Sequence, residues 1–228
     1  MISIFFIAVV WGLNYFYHSD YFKVKNIDVQ DNEHYKDEEV TILIPEVIGA
    51  NLFDINKKVV EDTIAEELNW VKDAELSKIF PNRIVVKLIE RRPDLIIFYR
   101  DEYFLMDSEG VILDKIEMGD LDTFGDLILV KNAVSHGINI GEKIAKKNVL
   151  SCADIYKAMD SQMRSLIKEA RIEDNIQGDI IFKTYDGKEI IFGDGSVIIK
   201  KIEILKQLSL TEVTDYIDLR STENPVVK

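Results

Sequence analysis

Three histidines, one cysteine and one glycine-rich loop are the residues of this chain that invite a chemical reading. His18, His34 and His136 share no metal-ligand spacing, and neither H-x-x-x-H nor C-x-x-C occurs. Cys152 falls in an apolar helical pattern, where a packed thiol is the expectation; a nucleophilic thiolate needs a partner His to activate it. Phe192-Gly-Asp-Gly-Ser196 has the look of a phosphate loop but lacks the lysine of G-x-x-x-x-G-K-[ST], and reads instead as a hairpin exit leading into a helix cap. No G-x-S-x-G is present. The acidic runs 33–39 and 61–67 have no calcium-loop pattern and read as solvated faces. The net charge of −13 argues against nucleic acid, whose phosphates need clustered Lys and Arg. The expectation is a protein that is not an enzyme, with no cofactor, no metal, no nucleic acid and no small-molecule substrate.

What remains is a binding protein, and the elements needed for binding can be traced along the chain. Residues 1–19 carry no Asp, Glu, Lys or Arg. A helix of 17 to 19 residues spans roughly 26 to 29 Å, close to the hydrocarbon core of a bilayer. Trp11, Tyr15 and Tyr17 suit an aromatic belt. A cleaved signal peptide would need a basic start and small residues before the cut, and neither occurs. Residues 1–19 are therefore expected to be a transmembrane helix. Charge does not orient it outward: no Lys or Arg precedes the span, whereas Lys23 and Lys25 follow it.

Beyond the span, Phe22 to Gln30 alternates as a strand. Asp37 to Ile44 reads as a short helix ended by Pro45. Asn56 is placed to cap a second helix, with Val59, Val60, Ile64 and Leu68 on one face and Trp70 as a core anchor. Val71–Phe80 and Arg83–Glu90 read as strands joined at Pro81-Asn82, giving the order β-α-α-β-β. Arg91-Arg92-Pro93 breaks the pattern, since proline cannot donate to a ladder. The rest is rich in strands. Leu95–Tyr99 and Tyr103–Met106 form a hairpin, Val111–Leu113 and Leu127–Val130 follow, and Asp179–Tyr185 and Glu189–Phe192 flank the turn signal Asp186-Gly187. Two helices are expected, Ile144–Met159 and one carrying Ile198, Ile202, Leu205 and Leu208. Tyr216 to Arg220 is the last expected strand. The fold class is α+β, with units at 1–19, 20–92 and 93–228.

Several stretches stand in a telling order. Phe22-Lys-Val-Lys-Asn-Ile-Asp-Val follows the apolar segment. Gly49-Ala-Asn-Leu-Phe-Asp-Ile-Asn opens the helix that ends at Asn69-Trp-Val-Lys-Asp-Ala74. Phe80-Pro-Asn-Arg-Ile-Val-Val-Lys-Leu-Ile-Glu-Arg-Arg-Pro93 closes the first unit. Tyr103-Phe-Leu-Met-Asp-Ser-Glu-Gly-Val-Ile-Leu-Asp begins the second, and Tyr216-Ile-Asp-Leu-Arg220 ends it. Together, in this order, they resemble the FtsQ/DivIB family of bacterial cell-division proteins. The resemblance implies a single span, a POTRA domain over 20–92 and an FtsQ-type β-domain over 93–228. It further implies extracytoplasmic domains at the division septum, partners of the FtsB/DivIC and FtsL types, and a role in regulating septal peptidoglycan synthesis. No cytoplasmic tail precedes the span in this sequence, and it ends eight residues after Arg220, so contacts made by longer termini are not expected. The alternative is a POTRA component of an outer-membrane assembly or secretion system, but the residues after Pro93 are too few for a barrel.

Strand addition is the expected binding mode: an unpaired sheet edge at the C-terminus would take a partner strand. Period two puts Tyr216, Asp218 and Arg220 on one face and Ile217 and Leu219 on the other. Tyr216, Asp218 and Arg220 are the expected contact residues, and Ser221, just past the strand, is expected to offer its N–H. Val226-Val227 forms a further short apolar pair.

Overall fold

A computed structural model of the protein describes residues 2–135, 137–208 and 215–228; His136 and Met1, both read above, lie outside the described residues. The chain divides into two compact units, Met1–Arg91 and Arg92–Lys228.

In the first unit, α1 (Ile2–Tyr17) is 16 residues long. At 1.5 Å per residue it measures about 24 Å, short of a bilayer core of about 30 Å. Among the described residues no helix is long and apolar enough to cross a membrane. The helix stops because the side chain of Ser19 accepts from the Tyr21 N–H and starts a 3₁₀ turn over Asp20–Phe22. β1 (Asn26–Gln30) then leads to α2 (Asp37–Thr41) and a 3₁₀ turn at Pro45–Val47. The Asn56 side chain caps α3 (Lys57–Glu67) by accepting from the Val59 N–H, as its position before the apolar run predicts. β2 (Val71–Ile79) and β3 (Arg83–Glu90) complete a sheet of order β1-β3-β2, in which β1 runs parallel and β2 antiparallel to β3.

The core of this unit closes over Val24, Leu52, Ile64, Leu68, Ile84, Val86 and Leu88, all buried. Two expectations fail. Val59 is exposed, because the face pointing at the sheet is the i, i+4 row Val60, Ile64, Leu68. Trp70 is half-buried and outside the core; it sits where the chain enters β2 and stacks on His34, centroids 4.1 Å apart. The β2 edge is occupied by side chains: the Leu76 N–H donates to Glu61 at 2.6 Å and the Ala74 N–H to Asp73 at 2.9 Å. Carboxylates turned onto an edge in this way close it to foreign strands.

The second unit is built on one nine-stranded sheet. Its strands are β4 (Pro93–Tyr99), β5 (Glu102–Asp107), β6 (Ile112–Ile116), β7 (Ile128–Lys131), β8 (Ile167–Ile172), β9 (Ile180–Thr184), β10 (Glu189–Gly193), β11 (Tyr216–Asp218) and β12 (Val226–Val227), in the order β12-β11-β10-β9-β8-β7-β4-β5-β6. Among the described residues three α-helices accompany it, α4 (Lys147–Ala158), α5 (Ser161–Leu166) and α6 (Ile198–Gln207), with a 3₁₀ helix at Met118–Phe124. Three of these elements, α5, β8 and β12, are absent from the sequence reading. The first two follow α4 without a glycine or proline, and the Asp160 side chain starts α5 by accepting from the Met163 N–H at 2.9 Å. β8 matters most, because it joins β7 in parallel and β9 antiparallel and so makes one sheet of what would otherwise be two.

The turn Asp107-Ser-Glu-Gly is held by the buried Asp107 carboxylate, which accepts from the Glu109 and Val111 N–H groups at 2.9 and 2.8 Å. Gly110 has φ +90°, and a Cβ there would lie 2.4 Å from the Ile144 carbonyl oxygen, so no other residue fits. The start of α6 also departs from expectation. Its N-cap position is Val197, with φ 44° and no side-chain cap, while Asp194 instead accepts from the N–H and hydroxyl of Ser196.

Candidate partner-binding edge

The C-terminal end of the large sheet is assembled from three short segments. The β9–β10 hairpin comes first, closed by Asp186-Gly187 at φ +93° for the glycine. The Thr184 hydroxyl donates to Asp186 at 2.5 Å and accepts from the Lys188 N–H at 2.9 Å. β11 then joins β10 in parallel, Ile190 opposite Ile217, and the Leu219 N–H extends the ladder by donating to the Ile191 carbonyl at 2.8 Å. Ile217 and Leu219 are fully buried, so the strand is anchored by the alternation that its sequence displays.

The opposite face carries charge. Arg220 Nε lies 3.1 Å from both oxygens of Asp218, and Nη2 lies 2.6 Å from Oδ2. Nη1 reaches Asp179 at 3.4 Å. The aliphatic stem of Arg220 crosses Gly193, where a Cβ would lie 2.8 Å from the Arg220 Cγ; Gly193 has φ +71° and sits at the register shift of the β9–β10 pair. The Arg220 guanidinium, and then its backbone N–H, hold the Asp218 carboxyl below the usual carboxylate range against the opposing effect of burial.

That shift fixes a sign. A carboxyl whose folded-state pKa is depressed adds stability at pH above its unfolded value of about 3.9, and the contribution is lost as pH falls through the folded-state value. Arg220→Ala is therefore expected to flatten the acid side of the stability–pH curve below pH about 4. Urea midpoints for both proteins across that range measure it; an equally steep acid limb in the variant would show that the pair contributes none of the acid sensitivity.

The last segment decides where the edge lies. β12 pairs antiparallel with β11, Val227 opposite Ile217 and Val226 opposite Asp218. Tyr216 and Lys228 exchange both backbone bonds, at 3.2 and 3.0 Å. β11 is thus covered on both sides and is not the edge strand; β12 is. The physical reason is the turn after Arg220, in which the Asn224 N–H donates to the Ser221 hydroxyl at 3.3 Å and returns the chain along β11. Tyr216 is half-buried with its backbone groups already paired, and Ser221 is exposed in the turn and not on a strand. The structure brings Tyr216, Asp218, Arg220 and Ser221 into one segment, but the open row belongs to Val226 and Val227, which are 50% and 43% exposed. Ladder bonds alternate in an antiparallel pair. Because 216 and 228 form a hydrogen-bonded pair, the N–H and C=O of Val227 point away from β11, toward the open side.

One buried charge that the sequence reading passed over supports this end of the sheet. Lys201 on α6 is 1% exposed, and its ammonium donates to the carbonyls of Phe192 at 2.6 Å and Asp194 at 3.2 Å, with the Asp194 carboxylate 3.5 Å away. A lysine at the i+4 row between Val197 and Leu205 is the signal that was available.

Elsewhere, Cys152 is fully buried, its thiol donates to the Asn148 carbonyl at 3.3 Å, and burial pushes its pKa up. It is a thiol at neutral pH and not a nucleophile. Among the described residues, no three His, Cys, Asp or Glu side chains are grouped to hold a metal ion.

Known proteins share these features. Residues 22–91 match the profile of the POTRA domain, FtsQ-type. A cell division protein FtsQ from Syntrophotalea carbinolica is 28% identical over 77% of this chain and 55% of its own length. One from Corynebacterium glutamicum is 29% identical over 75% of this chain and 71% of its own. A cell division protein DivIB from Clostridium tetani is 25% identical over 91% of this chain and 79% of its own. The match thus spans little more than half the length of the first of these relatives and larger shares of the other two. With a β-α-α-β-β unit at 22–91 that matches the POTRA domain, FtsQ-type, and a strand-rich unit after it, the chain is similar to the FtsQ and DivIB cell-division proteins over most of its length.

Proposed function

We propose that this protein is a membrane-anchored scaffold of the bacterial divisome, without catalytic activity, that binds FtsB/DivIC-type and FtsL-type proteins at the septum and helps regulate septal peptidoglycan synthesis. The observation that supports it best is the β12 edge: a short, exposed, apolar strand with free backbone groups at Val227, at the end of a sheet whose neighbouring strand is firmly buried. Such an edge is a template for strand addition, in which backbone bonds supply affinity and side chains supply selectivity. Tyr216, Asp218, Arg220 and Ser221 flank the incoming strand in this reading. Tyr and Arg are the residue types that most often dominate interface energetics. The β2 edge of the POTRA domain, closed by the carboxylates of Glu61 and Asp73, is not the edge used in this reading.

Residues 1–19, free of charge, anchor the protein in the cytoplasmic membrane, with residues 20–228 outside the cytoplasm. Protease added to intact spheroplasts is expected to digest the 20–228 region; protection of that region would reverse the topology and remove the septal reading with it. Affinity capture from detergent extracts is expected to recover small coiled-coil partners of the FtsB and FtsL types. Recovery of outer-membrane barrel proteins in their place would shift the reading to an assembly or secretion system.

A further inference from the structure

Where α1 meets the POTRA domain, aromatic rings gather from four separate places in the sequence. Phe16 in the last turn of α1 packs edge-on against Phe22, centroids 4.7 Å apart, and Tyr17 stacks on Phe53 at 5.5 Å. Phe22 touches Phe53 at 5.1 Å and Tyr21 at 5.2 Å, and Phe53 touches Phe80 at 5.5 Å. Phe22 is the buried centre of this group. The rings around it are not buried: Phe53 is 41% and Phe80 61% exposed, and Phe16, Tyr17 and Tyr21 are exposed as well. Phe53 lies in the loop before α3, and Phe80 in the turn between β2 and β3. Tight turns at such positions ordinarily carry polar residues.

A contiguous exposed aromatic surface marks an interaction site. We infer that this one is a lipid-contact surface, lying in the headgroup region of the membrane that anchors the protein. The inference rests on the anchoring proposed above. Its occupant is identified by continuity: the rings of the domain are in van der Waals contact with rings of the last turn of an uncharged helix, so both stand at one level. Aromatic side chains concentrate at that level of a bilayer. The cations nearest in the chain fit the same setting. Lys23 and Lys25 follow the rings directly, and the Lys78 ammonium lies 3.4 Å from the Phe53 carbonyl. The POTRA domain would then sit on the bilayer and not swing above it.

The test uses the full chain, in a Cys152→Ala background, in vesicles of phosphatidylcholine with a minority of phosphatidylglycerol. Single cysteines carrying an environment-sensitive fluorophore are placed at Phe80→Cys, Tyr21→Cys, Ile7→Cys in α1, and Ile176→Cys, which is fully exposed in the other unit. Spin-labelled lipids then quench by depth. Positions 80 and 21 are expected to be quenched by shallow labels several-fold more than position 176, and the Phe53→Ser, Phe80→Ser double variant is expected to lose that quenching at position 21. Absence of shallow quenching at both 80 and 21 overturns the lipid surface and leaves a protein segment as the occupant. Position 7 separates the two readings. Deep quenching there with none at 80 and 21 sinks the surface alone, and no quenching at any of the three sinks the membrane anchor with it.

Discussion

Lys201→Ala is expected to destabilise the second unit by about 3 kcal/mol, the largest effect anticipated for a single charged residue. Two contributions combine. The buried Phe192 carbonyl loses its charged donor at 2.6 Å, and an unsatisfied buried acceptor costs about 1 to 3 kcal/mol. The aliphatic stem, buried with the rest of the side chain, leaves a cavity that adds to this. Lys201→Met separates them, since it restores most of the volume and none of the hydrogen bonding; it is expected to recover the packing part only. Urea unfolding followed by hydrogen exchange at Ile217 and Leu219 reads the result where it matters, because β10 is the strand on which β11 rests. The opposite outcome has a physical basis: an apolar replacement of a buried charge is sometimes neutral or stabilising, because the charge no longer has to be desolvated. A Lys201→Met variant as stable as the wild type would show that the ammonium is tolerated there and does not hold the strands.

Val227→Pro is expected to weaken binding of an FtsB/DivIC-type partner about tenfold, corresponding to one backbone hydrogen bond of about 1.4 kcal/mol. The substitution is aimed at one atom. The Val227 N–H points to the open side of β12, so its removal costs the resident ladder nothing, whereas Tyr216 and Lys228 continue to exchange both their bonds. Folding stability is accordingly expected to hold. Val227→Ala is the companion variant, because it shortens the side chain and keeps the N–H. Titration of the labelled partner against the wild type and both variants ranks them. Strand addition at this edge is contradicted if the proline variant binds as the wild type does. A Tyr216→Ala variant, expected to weaken the same complex by about 1 to 3 kcal/mol, tests the flanking face independently.

What the sequence determined by itself was everything that depends on local periodicity and on residue types in order. The alternation of Ile84, Val86 and Leu88 decided both the strand and its buried face, since successive side chains must point to opposite sides. Asn56 before an apolar i, i+4 row decided where α3 starts, because its side chain answers an N–H that the helix leaves unpaired. Ile217 and Leu219 were legible as the inward pair of the last expected strand for the same reason as β3. The order of these signals was enough to expose the family resemblance.

Only the tertiary structure decided what depends on partners distant in the chain. Trp70 reads as a core residue by its size, yet the core closes on smaller side chains and leaves it stacked on His34. β8 has no turn signal before it, and its identity as a strand comes from β7 and β9 on either side. Lys201 is polar by composition and buried by position, because two backbone carbonyls converge where its ammonium ends. The binding edge shows the difference most directly. Tyr216, Asp218 and Arg220 carry the alternation, but alternation says which way side chains point and nothing about which backbone groups remain free. That is settled by the return of the chain through Ser221 and Asn224, which lays Val226 and Val227 along β11 and moves the open row of N–H and C=O groups one strand outward.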